Sequence, residues 1–189
     1  MANIKSICVY CGSSNDVKSD YLRLAMELGR TLAHKGRRLV YGGGGVGLMG
    51  ACARAAHSEG GDVLGIMPKF LLEKERMFED VEHRIVDDMH TRKQLMFNES
   101  DAFIVLPGGI GTLEEAVEML SWARLGLHAK PMAFLDEDGF WDPFFDLMDH
   151  IIDGRFTPEE FRTALVHTDT PESAIRALED RIVVLDKRN

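Results

Sequence analysis

The sequence predicts a doubly wound α/β fold, a parallel sheet with helices on both faces. Short runs of strand-forming residues alternate with stretches of helical apolar spacing along the whole chain. The strand candidates are near-continuous apolar runs rather than alternating ones, the pattern of strands covered on both sides. Glycine-rich turns follow several of them, at the points where such folds pass from strand to helix.

Residues 4–10 read as a buried first strand, ending at Cys11-Gly12-Ser13-Ser14-Asn15. Residues 21–34 carry helical apolar spacing, with Gly36 as the C-terminal stop. Residues 38–41 form a short strand that runs into the glycines of 42–47, and a helix follows to about Ser58. Residues 62–67 make a third strand, ended by Pro68; 69–80 are charged and irregular. Residues 81–86 are a fourth strand and 89–99 a helix. The strongly apolar 101–106 leads into a further glycine turn. A helix over 112–125 is expected next, with Thr112 as its N-cap and Glu115 three residues later in the capping-box position. A strand at 131–135, a helix at 140–152, a strand at 164–167 and a helix at 172–178 complete the reading. No linker divides the chain and no repeat recurs, so residues 1–189 form one domain.

Hydrophobic residues make up 45% of the 189, enough for a sizeable core. The net charge of −9 argues against a nucleic-acid or anionic-membrane surface, while leaving room for a local anion site. No stretch resembles a signal peptide or approaches a membrane span. Cys8 and Cys11 form a C-x-x-C, yet Cys8 lies inside an apolar run and no second Cys/His pair follows at zinc spacing. Core cysteines in a reducing cytoplasm are the expectation.

Three turns are candidates for phosphate: Gly12-Ser13-Ser14; the run containing Gly42, Gly43 and Gly44; and Gly108-Gly109-Ile110-Gly111-Thr112. Glycine lets backbone amides approach a phosphate, and the helix behind each turn adds unpaired N–H groups and partial positive charge. A G-x-G-x-x-G at Gly45, Gly47 and Gly50 raises dinucleotide binding as a rival. It follows the second strand rather than the first, and Asp62 begins its strand instead of ending it. The Gly-Lys-Ser/Thr of a P-loop is absent, so triphosphate hydrolysis is not expected. Glu114 and Glu115 admit two readings, helix-end electrostatics or chemistry at the turn. Arg92-Lys93, near a helix start, is either a solvated basic pair or a grip on phosphate and ribose oxygens.

Together these residues resemble a known family. Pro107–Glu115 fits P-G-G-x-G-T-x-x-E, and Arg92-Lys93 precedes it at the family's usual distance. The chain is similar to the LONELY GUY (LOG) family of cytokinin riboside 5′-monophosphate phosphoribohydrolases. The likeness runs from residues 7–14 through 41–50 and 89–93 to Trp122-Ala123-Arg124-Leu125-Gly126. It implies a Rossmann-like fold, a homodimer with the site near its interface, and hydrolysis of an N6-modified adenosine monophosphate to free base and ribose 5-phosphate. It implies no metal and no organic cofactor. Carried over by motif position, Arg92 and Glu115 are catalytic, and Gly109, Gly111 and Thr112 contact phosphate. Glu75, with Glu73 as the alternative match, contacts substrate, and Lys93 and Ser121 are further ligand contacts. Ser121 stands where plant members often carry threonine. Ser13, Gly43 and Gly44 belong to the other two turns of the same site. A non-enzymatic nucleotide or molybdenum-cofactor carrier of the same fold is the alternative function.

Overall fold

The structure is a computed structural model that describes residues 4–72 and 75–186, with side chains to Arg181. The described elements run in chain order. They are β1 (Ser6–Tyr10), α1 (Ser19–His34), β2 (Arg38–Tyr41), α2 (Gly47–Ser58), β3 (Val63–Pro68), β4 (Glu82–Val86) and α3 (Met89–Asn98). Then come β5 (Ala102–Val105), α4 (Ile110–Arg124), β6 (Met132–Leu135), α5 (Asp142–Asp153), β7 (His167–Thr168) and α6 (Pro171–Asp186). Short 3₁₀ turns occupy Lys69–Leu71 and Glu159–Ala164.

The sheet has seven strands in the order β4-β3-β2-β1-β5-β6-β7, and every pairing is parallel. The chain winds outward from β1 to β4, then α3 carries it back across to β5 on the other side of β1. The winding reverses there, and the carboxyl ends of β1 and β5 splay into a crevice. The doubly wound expectation is met, and each strand side chain alternates between two cores. Ile7, Val9, Leu39, Tyr41, Ile104 and Leu135 pack under α1, α2 and α6. Cys8, Tyr10, Val40, Leu64, Phe103 and Phe134 pack under α3, α4 and α5. Burying one such side chain stabilises the fold by roughly 2 kcal/mol.

The C-x-x-C divides between these cores, with Cys8 on one face and Cys11 on the other. All three thiols are free and buried, and burial pushes each of them up, so none is a ready thiolate. The edge strand β4 carries Glu82 and Arg84 outward, tied to Arg38 and Glu99 by ion pairs. Charge on an edge discourages pairing with another chain.

Element boundaries differ from the sequence reading mainly at helix ends. Helix α4 begins at Ile110, with Gly109 as its N-cap and no side-chain capping bond. Thr112 is therefore inside the first turn, and the expected capping box with Glu115 does not form. Gly109 and Gly111 have open space where a Cβ would stand, so neither glycine relieves a clash with another described residue. The last helix runs to Asp186, well past residue 178. The final strand is only His167–Thr168, because 159–164 coil into a 3₁₀ turn first.

Candidate active site

The turns after β1, β2 and β5 come together because those strands are neighbours at the centre of the sheet. Their amides have different fates. At the start of α2, Gly47 N–H donates to Asn15 Oδ1 at 2.8 Å, and the N–H groups of Leu48 and Met49 donate to the Gly12 carbonyl. Gly45 N–H donates to Arg76 O. This helix end is already satisfied by protein, so the G-x-G-x-x-G at Gly45, Gly47 and Gly50 holds no free cradle for a pyrophosphate. Its glycines serve close packing instead: a Cβ on Gly47 would stand 2.4 Å from the Ser13 backbone.

Helix α4 is the opposite case. Its first described backbone bond runs from Leu113 N–H to Gly109 O at 3.0 Å. The N–H groups of Ile110, Gly111 and Thr112 precede it and have no helical acceptor. They open onto a cavity of about 500 Å³ lined by Gly12 and Ser13 of the first turn, by Gly109, Gly111 and Thr112, and by Met49, Met89, Arg92 and Glu115. Phe70, Leu71 and Glu75 close it from the segment after β3. An anion placed there meets unpaired donors and the positive end of a 15-residue helix.

Arg92, on the first turn of α3, crosses beneath the second glycine turn. Its Nε donates to Ile66 O at 3.1 Å and its Nη2 to Gly42 O at 3.0 Å, both in buried surroundings. Gly42 is required for that path, since a Cβ would lie 1.9 Å from Nη2. Only Nη1 is left to face the cavity, 3.8 Å from both the Met89 sulfur and Glu115 Oε1. Glu115 is 6% exposed, and burial raises its carboxyl to about 7 despite the opposing pull of Arg92. A buried carboxyl poised near neutrality beside a fixed guanidinium can exchange a proton with a water or substrate.

The other singled-out residues fall into three groups. Ser13, Glu75, Gly109, Gly111 and Thr112 line the cavity with Arg92 and Glu115. One Glu75 carboxylate oxygen is buried without a hydrogen-bond partner among the described residues. Glu73 lies outside the described residues. Gly43 and Gly44 sit beneath the cavity, Gly43 against Met67 and His83, Gly44 against Met49 and Glu75. Lys93 and Ser121 do not line it within one chain. The Lys93 ammonium is held by Glu114 at 2.5 Å and Glu118 at 3.0 Å, and Ser121 is exposed further along α4. Sequence reasoning missed Gly42 as the carbonyl that anchors Arg92, and Met49, Met89, Phe70 and Leu71 as an apolar wall. A methionine three residues before an arginine on a helix is the only local signal, because side chains at that spacing share a face.

No helix among the described residues is long and apolar enough to cross a membrane. A protein-family model described as "Possible lysine decarboxylase" matches residues 49–178. The chain is 43% identical over 182 residues to the cytokinin riboside 5′-monophosphate phosphoribohydrolase LOG of Oryza sativa, covering 96% of this chain and 75% of that protein. It is also 43% identical over 180 residues to LOG3 of Arabidopsis thaliana, covering 95% and 84%. Among solved structures, the molybdenum cofactor carrier protein of Chlamydomonas reinhardtii superposes with a TM-score of 0.72 at 20% identity, over 96% of this chain and 99% of that one. That likeness is one of fold. The match across nearly the whole chain to the plant proteins, with the glycine turn, Arg92 and Glu115 around one cavity, makes this chain a member of the LOG family.

Proposed function

We propose that this protein hydrolyses the N-glycosidic bond of a nucleoside 5′-monophosphate, with an adenine or N6-substituted adenine as base, releasing the base and ribose 5-phosphate. The observation that carries the reading is the buried Arg92–Glu115 pair facing the open amides of α4 across one cavity. The phosphate would rest on the turn at Gly109, Gly111 and Thr112, which sets C1′ near the pair. As the C1′–N bond breaks, positive charge grows on the ribose and electron density on the base. Glu115 would stabilise that charge and take a proton from the attacking water, whose oxygen bonds to C1′. Arg92 Nη1 would hold the substrate and the developing negative charge, and the proton that Glu115 took from the water would pass to the departing base, which restores the carboxylate. Ser13 and Glu75 would contact ribose and base, with Gly43 and Gly44 supporting them. The apolar wall of Met49, Met89, Phe70 and Leu71 suits an adenine with an apolar substituent.

A homodimer belongs to the same proposal. Ile110, at the rim of the cavity, is 83% exposed, and Val117 on the next turns of α4 is 44% exposed. A second copy packed there would cover both and bring Lys93 and Ser121 closer to a composite site. Cytoplasmic residence fits the unpaired thiols. Lysine decarboxylation fits poorly: pyridoxal phosphate needs a lysine, and among the described residues none lines the cavity. Lys93 is ion-paired, and Lys130 donates to Phe97 O.

The deciding experiment is ribose 5-phosphate release from isopentenyladenosine monophosphate, AMP, GMP and CMP. Hydrolysis of the adenine nucleotides ahead of the others is expected. Binding without release from any of them would favour a carrier and overturn the enzymatic reading.

A further inference from the structure

A second cavity, of about 600 Å³, opens at the amino end of β6 and shares no lining residue with the first. It lies where α4 ends and β6 begins, roofed by the 3₁₀ turn at Glu159–Ala164 and by Arg181 of α6. Its size is that of a small-molecule site, roughly 300–1,000 Å³. Met119, Leu120, Met132 and Phe161 make its walls apolar.

The charge around it is unusual for a chain of net charge −9. Arg124, Lys130 and Arg181 line it, against Glu160 as the one acidic residue lining it. The side chains of Arg124 and Arg181 make no hydrogen bond or ion pair with any described residue. Lys130 is half-buried and spends its ammonium on a carbonyl, Phe97 O at 2.6 Å, and on the face of the Phe97 ring. His128 supplies no charge, because one ring nitrogen pairs with Met119 O and the other accepts from Lys130 N–H. Burial pulls the Lys130 and Arg181 cations down from their ordinary values, a cost that no carboxylate among the described residues offsets at Arg181.

We propose that this cavity is a second ligand site, which takes a small carboxylate with an apolar body. The body lies against Met119, Met132 and Phe161, and the carboxylate meets the Arg181 guanidinium, whose paired donors match its two oxygens. Arg124 and Lys130 add attraction at the mouth. The site is independent of the reaction proposed above, since it needs neither Arg92 nor Glu115.

The test is fluorescence titration of the full chain with 8-anilinonaphthalene-1-sulfonate, an aromatic anion, followed by displacement with octanoate or octanol. Saturable binding of one probe per chain is expected. Octanoate should displace it at least ten times more effectively than octanol, and AMP should not displace it. Arg181→Ala should weaken octanoate about tenfold with an unchanged melting temperature. Ala164→Trp, which fills the cavity from its roof, should abolish displaceable binding, and serves as the check if Arg181→Ala folds poorly. Absence of saturable binding, equal displacement by octanoate and octanol, displacement by AMP, or full octanoate affinity in either folded variant would overturn the proposal.

Discussion

Arg92 Nη1 and Glu115 Oε1 stand 3.8 Å apart, with side chains only 6% and 7% exposed. The separation exceeds a hydrogen bond. The guanidinium cannot close it, because Nε and Nη2 are committed to the carbonyls of Ile66 and Gly42. The pair therefore keeps its charges close without quenching them. Desolvation outweighs the Arg92 attraction at Glu115 and leaves the carboxyl titrating at about 7.

The pH profile of turnover follows from that value. A base works deprotonated, so kcat/KM should rise with pH through an apparent pKa of about 7. Glu115→Gln should lower kcat by roughly 10²–10⁴ while nucleotide binding persists. Initial rates from pH 5 to 9 check this; a flat profile, or wild-type turnover by the glutamine variant, would remove Glu115 from its role.

Stability should move in the opposite sense. A folded-state pKa raised from 4.5 to about 7 means the native state holds a proton that the unfolded chain has released. Stability from this group is full below pH 4.5 and is lost as pH climbs to 7. Glu115→Gln, which never ionises, should therefore melt above wild type at pH 8 and nearly with it at pH 4.5. Equal melting temperatures at pH 8 would show that the carboxylate carries no such burden.

Gly42→Ala separates positioning from folding. The new methyl would collide with Arg92 Nη2, the tip of a flexible side chain. The arginine should swing away at a stability cost of about 1–2 kcal/mol, and kcat should fall by about 10². Full activity in a folded Gly42→Ala protein would mean that the anchored Arg92 geometry is dispensable.

Gly111→Ala gives the converse. Nothing lies within 4 Å of the added Cβ, and alanine is a better helix former than glycine by about 1 kcal/mol. The melting temperature should hold or rise. The methyl would nevertheless stand beside the open amides of α4, and KM for the monophosphate should increase about tenfold as phosphate contacts weaken. An unchanged KM would place the phosphate elsewhere.

The amino-acid sequence alone makes legible the doubly wound class, nearly every strand, and the motif that carries the family. Strand signals such as residues 101–106 are local: an apolar run bounded by a glycine turn needs no distant partner to be legible. It also singled out Arg92 and Glu115, yet it left Glu115 divided between a helix cap and chemistry. Tertiary structure removed the capping box by starting α4 at Ile110, which leaves Glu115 inside the helix and buried. It decided as well which glycine turn keeps free amides. Asn15, Gly12 and Arg76 supply the acceptors that satisfy the start of α2, while nothing described within the chain does so for α4. Such partners lie far apart in sequence and meet only because β1, β2 and β5 are neighbours in the sheet. Spacing reports which backbone groups a turn offers. Whether those groups remain unpaired depends on what the rest of the fold brings to them.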